Sequence, residues 1–308
     1  MDKYRSQSIA ISGDLGSGKS TVAELLGQRL GVPVVSTGGF QRELARRKGL
    51  TTLELNRLAE HDKSIDIELD AINSEVEKSQ APTIVDARMA WHFVPSAFKV
   101  FLAVDEGLAA ERIFAAGRDA EHSYSTVAEA LAANQARRHS EVVRFQSKYG
   151  VDIARWGNFD LIVNTTAASP ESIVDAICDQ IWRVPGAPKQ TKYLASPKAC
   201  FPTDAGAYRS IPEEAVEVLG AAYPSIALVY FRGVNLIWGS HHDVAEAILL
   251  GRSFIEGRVV ASGENGVLPN QLPVRRFLEL LPGISTLYDW EEALKFRFYR
   301  YPEWFRPT

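Results

Sequence analysis

Gly13-Asp14-Leu15-Gly16-Ser17-Gly18-Lys19-Ser20 follows the pattern G-x-x-x-x-G-K-[ST], a spacing suited to holding a polyphosphate. Glycines let the backbone turn tightly and direct its N–H groups inward, beside the positive end of the helix that follows. In such a loop Lys19 neutralises the β- and γ-phosphates of a nucleoside triphosphate, and the Ser20 hydroxyl ligates Mg²⁺. Gly13, Gly16, Ser17, Gly18, Lys19, Ser20 and Thr21 are therefore the expected phosphate-binding residues. The context agrees: residues 8–12 read as a short buried strand and residues 21–30 as an amphipathic helix.

A loop of this kind marks a triphosphate user, so the acceptor has to be read from charges elsewhere on the carboxyl ends of the strands. Arg42 follows the second strand and could hold a monophosphate opposite the loop, or lie on a solvated helix surface. Asp66 and Asp70 share one helix face at i, i+4 spacing. They could accept hydrogen bonds from an exocyclic amine, or form an exposed acidic face. Asp86 and Arg88 close the third strand, Asp86 suited to the metal's water shell and Arg88 to a second phosphate contact. Arg112 and Arg118 flank a hinge at Gly117, and Arg137 and Arg138 follow on a helix. These four guanidinium groups could close as a lid over a transferring phosphoryl group, with surface ion pairing as the plainer alternative.

The elements that must place these side chains alternate. Further strands are expected at residues 32–36, 83–88, 98–104 and 160–165, with Thr37 capping a helix that runs to Lys48, a helix at 107–116, and a last helix opened by Ser169-Pro170-Glu171. The fold class read from this order is α/β, a five-stranded parallel domain with a helical lid. Proline and small polar residues crowd residues 184–206, giving domains at 1–183 and 207–308 joined by a linker. Beyond it the pattern predicts a helix at 212–222, strands at 227–231 and 235–238 around an Arg232-Gly233 turn, and a helix at 244–250, together a small α+β domain.

Composition narrows the classes. The 308 residues suffice for two domains, and 34 basic against 38 acidic residues give a net charge of −4, which argues against nucleic acid or an anionic membrane as a partner. Two cysteines, Cys178 and Cys200, without metal-ligand spacing fit a reducing cytoplasm, and no apolar stretch is long enough to span a bilayer. The expectation is a cytoplasmic protein acting on a small molecule.

Residues 7–182 resemble the short archaeal-type cytidylate kinases among the nucleoside monophosphate kinases. Beyond the phosphate loop, the likeness rests on Val35-Ser36-Thr37-Gly38 with Arg42-Glu43-Leu44-Ala45, and on Leu58-Ala59-Glu60 with Ile65-Asp66 and Asp70. Ala110-Glu111-Arg112-Ile113, Lys148-Tyr149-Gly150-Val151-Asp152 and Phe159 ahead of Asp160-Leu161-Ile162-Val163-Asn164-Thr165 complete it. The resemblance implies Mg²⁺-dependent transfer of the γ-phosphoryl group of ATP to CMP or dCMP. It makes Arg42, Arg88, Arg112 and Arg138 phosphate contacts and Asp66 a contact for the base edge. The chain departs from the family at Ala87, where glycine is usual, at Asp86, where glutamate is usual, and in a lid poor in basic residues. These departures leave a modified cytidylate or another small acceptor open.

Residues 208–260 resemble the ParB/sulfiredoxin-like fold, through Leu236-Ile237-Trp238-Gly239-Ser240-His241-His242-Asp243 and the helix that follows. Asp243 stands where that family places arginine, and Gly239 replaces the usual acid, so the resemblance implies a degenerate, non-catalytic module. His241 and His242 equally suit a structural turn at a helix start. The tail from Tyr288 to Arg306 interleaves aromatics with arginines. It could stack bases, but packing back on the small domain or burying a homodimer interface fits its composition better. Two function classes follow: a nucleoside monophosphate kinase with an accessory domain, or a nucleotide-hydrolysing protein whose second module contacts nucleic acid or protein.

Overall fold

The structure is a computed structural model and describes residues 7–50, 52–79, 81–116, 124–153, 155–181, 191–204, 206 and 226–306. The chain divides into two compact units, Met1–Ile162 with Ile173–Thr191, and Val163–Ser172 with Lys192–Thr308.

In the first unit the elements run β1 (Ile9–Gly13), α1 (Lys19–Leu30), β2 (Val34–Ser36), α2 (Thr37–Arg47), α3 (Thr52–His61), α4 (Lys63–Ser79), β3 (Ile84–Asp86), α5 (Ala90–Phe93), β4 (Phe98–Ala103), α6 (Glu106–Ala116), α7 (Val127–Tyr149), β5 (Leu161–Asn164) and α8 (Pro170–Gln180). The last two residues of β5 and the start of α8 belong to the second unit. The strand order is β2-β3-β1-β4-β5. β1 lies parallel to both β3 and β4, and β2 parallel to β3. A parallel strand at the centre must be apolar on both faces, and all five residues of β1 are buried.

Local chemistry sets the ends of these helices. Gly31 adopts the left-handed conformation and returns its N–H to the Gly27 carbonyl, ending α1. Ser36 caps α2 by accepting from the Gly39 N–H at 3.3 Å. The cap is thus one residue earlier than the expected Thr37, because Ser36 is the residue that keeps extended backbone. Thr126 caps α7 by accepting from the Glu129 N–H at 3.2 Å, and Glu129 in turn accepts from the Ser125 N–H at 2.7 Å.

The second unit contains β6 (Lys192–Ala195), β7 (Cys200–Phe201), β8 (Ile226–Phe231), β9 (Val234–Ile237), α9 (His241–Leu249), β10 (Ile255–Ser262), α10 (Val274–Glu279) and α11 (Ser285–Leu294). Its strands lie in the order β6-β10-β8-β9-β7. β10 is antiparallel to β6 and parallel to β8, β8 antiparallel to β9, and β9 parallel to β7. Across the chain the strand pairs form an α/β fold of mixed but mostly parallel direction.

Two expectations change here. The described part of the anticipated linker, residues 191–204, is structured and carries β6 and β7. Its proline Pro197 opens a tight helical turn between these strands, at a corner of the unit. β10 was not anticipated at all, since Gly257 and Arg258 interrupt its apolar pattern. The glycine has a packing reason: a Cβ there would lie 2.6 Å from the Leu228 side chain on β8. The helix expected at 212–222 and residues 184–190 of the linker lie outside the described residues.

The aromatic tail packs within the second unit. Phe298 and Phe305 are buried, Phe298 stacking on Phe201 at 4.9 Å between ring centres, and Trp290 on α11 is fully buried. Glu291 organises the turn, accepting from the Phe298 N–H at 2.7 Å and from the Tyr301 hydroxyl. His241 Nε2 accepts from the Thr203 N–H at 3.1 Å, and burial holds its pKa below the usual imidazole value. It is a neutral, hydrogen-bonded side chain, and among the described residues no cluster of three or more His, Cys, Asp or Glu is placed to hold a metal. No helix among those residues is long and apolar enough to cross a membrane.

A buried polar chain ties this unit together. The Asn164 amide donates to the Tyr193 hydroxyl and to the Gly233 carbonyl, each at 3.2 Å, and the Tyr193 hydroxyl donates to Asn235 Oδ1. Removing the central hydroxyl strands polar groups on both sides. Tyr193→Phe is therefore expected to lower unfolding stability by about 2 kcal/mol in urea titration; a change inside error would show the chain to be dispensable.

Candidate functional site

The phosphate loop leaves β1 at its carboxyl end and enters α1. Gly13 must be glycine because a Cβ there would sit 2.4 Å from the Leu102 carbonyl oxygen on β4. Gly18, at φ 83°, makes the left-handed step into the helix. The Ser17 hydroxyl donates to the Asp14 carbonyl at 2.8 Å and the Asp14 N–H to the Leu102 carbonyl at 2.9 Å, so the loop is tied both to itself and to β4. Gly16 lies between them, and Thr21 follows in the first turn of α1.

Lys19 folds its ammonium back over this loop, donating to the carbonyls of Gly13 at 3.0 Å and Asp14 at 2.9 Å. Burial above all, and then the field of Arg88, lower its pKa from the usual lysine value to about 7, against the opposing pull of Asp86, Asp14 and Glu141. A cationic side chain held in this way is poised for a polyanion.

Ser20 and Asp86, both expected from the sequence to serve a metal ion, touch each other. The Ser20 hydroxyl donates to Asp86 Oδ2 at 2.9 Å, and the Ser36 hydroxyl donates to the same oxygen at 3.1 Å. Asp86 is 4% exposed. Two serine hydroxyls and a carboxylate make an all-oxygen donor set, which fits Mg²⁺, a cation that takes few protein ligands and keeps several waters. Ser36 thereby serves twice, as helix cap and as a partner of the acid.

The arginines converge on the same loop from three elements. Arg88, after β3, donates to the Gly13 carbonyl at 2.8 Å, and Arg112 on α6 reaches the Gly16 carbonyl at 3.4 Å. Arg138 on α7 forms an ion pair with Asp14. Arg137, one residue earlier, turns instead to Glu141 at 3.1 Å. Burial lowers the pKa of both Arg88 and Arg112 from the usual guanidinium value. Arg42 lies exposed on α2 beside Gly38. Arg118 and Gly117 lie outside the described residues, as does the side chain of Asp66 on α4.

Asp70 has other partners than a base in this structure. It accepts from the Tyr149 hydroxyl at 2.6 Å and faces the Lys148 ammonium at 3.6 Å, linking α4 to the end of α7. Two further residues belong to the site and were not singled out from the sequence. Asp14 occupies a variable position of the loop pattern, yet its carboxylate takes both Arg138 and the Val104 N–H, the latter at 3.3 Å. Glu141, buried on α7, bridges Arg88 at 3.5 Å and Arg137 at 3.1 Å. Burial pushes its pKa up, but Arg88, Arg137 and Arg144 outweigh this and hold it below the usual glutamate value. The i, i+4 spacing of Arg137 and Glu141 was the one available signal. Between the loop, the end of β4 and α7 lies a cavity of about 70 Å³, bounded by Gly13, Phe101, Arg138, Glu141 and Phe159.

Similarity to known proteins runs over the same region. The model of the cytidylate kinase-like family matches residues 8–167. A cytidylate kinase of Ignicoccus hospitalis is 39% identical over 171 residues, which cover 55% of this chain and 95% of that protein. A cytidylate kinase of Methanobrevibacter smithii is 33% identical over 169 residues, covering 55% and 95%. Among solved structures, a shikimate kinase from Bacteroides thetaiotaomicron aligns with a TM-score of 0.40 and 17% identity, over 57% of this chain and 98% of that one.

Glu141 holds two arginines of the site, and removing one partner of a buried ionic group leaves the other charges uncompensated. Glu141→Gln is expected to cost about 3 kcal/mol of unfolding free energy at neutral pH. Because the folded pKa is depressed, the difference from the parent chain should be full above the ordinary carboxylate range and fade as pH falls through it. Urea titrations at several pH values check both, and a pH-independent difference would rule out the ionic bridge as its cause.

Proposed function

We propose, for a chain that belongs to the cytidylate kinase-like family and is thereby a nucleoside monophosphate kinase, that it transfers the γ-phosphoryl group of ATP to CMP, dCMP or a modified cytidylate. The observation that carries this reading is the convergence of Lys19, Arg88, Arg112 and Arg138 on the backbone or Asp14 carboxylate of a single phosphate loop.

A phosphate oxygen of the acceptor attacks the γ-phosphorus, the bond from that phosphorus to the β,γ-bridging oxygen breaks, and ADP leaves with the electron pair. Charge spreads over the equatorial oxygens as this happens, so positioning and neutralisation supply most of the rate. Lys19 meets the β- and γ-phosphates from the loop. Arg112 and Arg138, on α6 and α7, approach from the lid side, while Arg88 stands at the end of β3 next to the loop and suits the acceptor's phosphate. Arg42, on α2, offers a second contact to that phosphate, and Asp66 and Asp70 on α4 lie on the acceptor's side. Ser20 and Asp86 would hold Mg²⁺, which when bound adds its charge to the β- and γ-phosphates.

Because Lys19 titrates near 7 in the free protein, much of it is neutral at pH 8, and a bound polyphosphate restores the ammonium. ATP binding at pH 8 should therefore take up a proton that Lys19→Met does not, as read by calorimetry in buffers of different ionisation enthalpy. Equal uptake in the two chains would assign the proton elsewhere.

Turnover gives the decisive measurement. With ATP and a panel of nucleoside monophosphates, ADP release should be selective for CMP or dCMP, and Lys19→Met should reduce kcat by about 10²-fold or more without loss of thermal stability. ADP release that ignores the acceptor would support nucleotide hydrolysis instead.

A further inference from the structure

The second unit carries a pocket of about 530 Å³ that nothing in the phosphoryl-transfer reading uses. That volume lies in the range of roughly 300–1,000 Å³ usual for small-molecule sites. Its walls come from the β8–β9 turn, from α10 and from the aromatic tail.

Three features of the walls select a ligand. Trp304 is half-buried, its indole edge-on to the buried Phe231 at 5.1 Å, and the Pro302–Phe305 turn fixes it in place through the Phe305 N–H on the Pro302 carbonyl. The Arg306 carbonyl accepts from the Ile284 N–H at 2.8 Å, anchoring the end of the same turn. Arg275 on α10 and Arg306 on the tail line the pocket without a salt bridge among the described residues. The carboxylates nearby are already taken, Glu264 by Arg232 at 3.0 Å and Glu279 by Arg276 at 2.6 Å. Arg275 and Arg306 act on Glu279 only through their field, behind the hydrogen bond from Arg276 that chiefly lowers its pKa. Glu303 remains as an exposed carboxylate beside the indole.

A flat π surface, two guanidinium groups and one carboxylate match a base, a phosphate and a pair of ribose hydroxyls. We propose that this pocket binds a free nucleoside phosphate, with the base on Trp304, the phosphate between Arg275 and Arg306, and Glu303 accepting from the ribose. Two guanidinium groups in a chain of net charge −4 do not make the extended cationic track that a polynucleotide backbone requires. The proposal rests on the second unit alone and is independent of the acceptor assigned to the first.

Titrating the full chain with CMP, CDP and ATP in turn, without Mg²⁺, tests it through tryptophan emission. At least one nucleotide should give a quenching phase that Trp304→Phe lacks. In Arg275→Ala/Arg306→Ala the Kd of that phase should rise at least about tenfold, with the kcat of phosphoryl transfer within about twofold of the parent chain. Excess inorganic phosphate should compete the phase away in the unaltered chain, a reading that needs no variant to fold. No Trp304-dependent phase with any of the three, a phase indifferent to phosphate, or an oligonucleotide binding at least tenfold tighter than the nucleotides through the same arginines would each overturn it. The phases report binding alone, so a chain without kinase activity would still be informative here.

Discussion

Like charges gathered around one short stretch of backbone are the constraint on which the first unit depends. Burial above all lowers the proton affinity of both Lys19 and Arg88, and neighbouring cations add to it, Arg88 acting on Lys19 and Arg137 on Arg88. Such a group stays in place only if fixed counter-charges surround it. Here these are Asp14 and Asp86 beside the loop and Glu141 behind it, together with the loop's own carbonyls. The arrangement stores positive potential at a defined point, which is what a transferring phosphoryl group needs.

Much of this arrangement depends on α7. Over 23 residues it carries Arg138, which pairs with Asp14 of the loop, and Glu141, which holds Arg88 and Arg137, and at its far end Tyr149 takes hold of Asp70 on α4. One helix therefore touches both the phosphate loop and α4. A shift of α7 along its axis would alter Arg88, through Glu141, and α4 together. Ser36 plays a smaller part of the same kind, since the cap that sets the start of α2 also orients Asp86.

The second unit is built on different principles. Its strands pair in mixed directions, and a buried chain of neutral polar groups runs through Asn164, Tyr193 and Asn235. The histidines at the start of α9 are held by neighbouring polar groups, His241 by Thr203 and His242, through Nε2, by the Asp243 carboxylate at 2.9 Å. The charged surface of interest in this unit is instead the one formed by Arg275, Trp304 and Arg306, from segments about thirty residues apart in sequence.

What the sequence determined by itself was the set of features whose physics is local. The phosphate loop, the strands that alternate with helices in the first unit, the helix start at Pro170 and the Arg232-Gly233 hairpin turn are each written in residues a few positions apart. Tertiary structure decided the rest. Asp14 and Glu141 acquire their roles only when α7 crosses the loop, and the i, i+4 pair Arg137 and Glu141 looked like any solvated helix face until Arg88 was brought up against it. Asp70 was read with Asp66 because they share a face, yet a tyrosine 79 positions away takes its oxygen. β10 was hidden by a glycine that its packing against Leu228 explains, and Pro197 suggested a spacer where two short strands are joined by a tight turn. Local pattern specifies which element forms, whereas the pairing of distant charges and the close approach of backbones depend on packing that no single stretch of the chain contains.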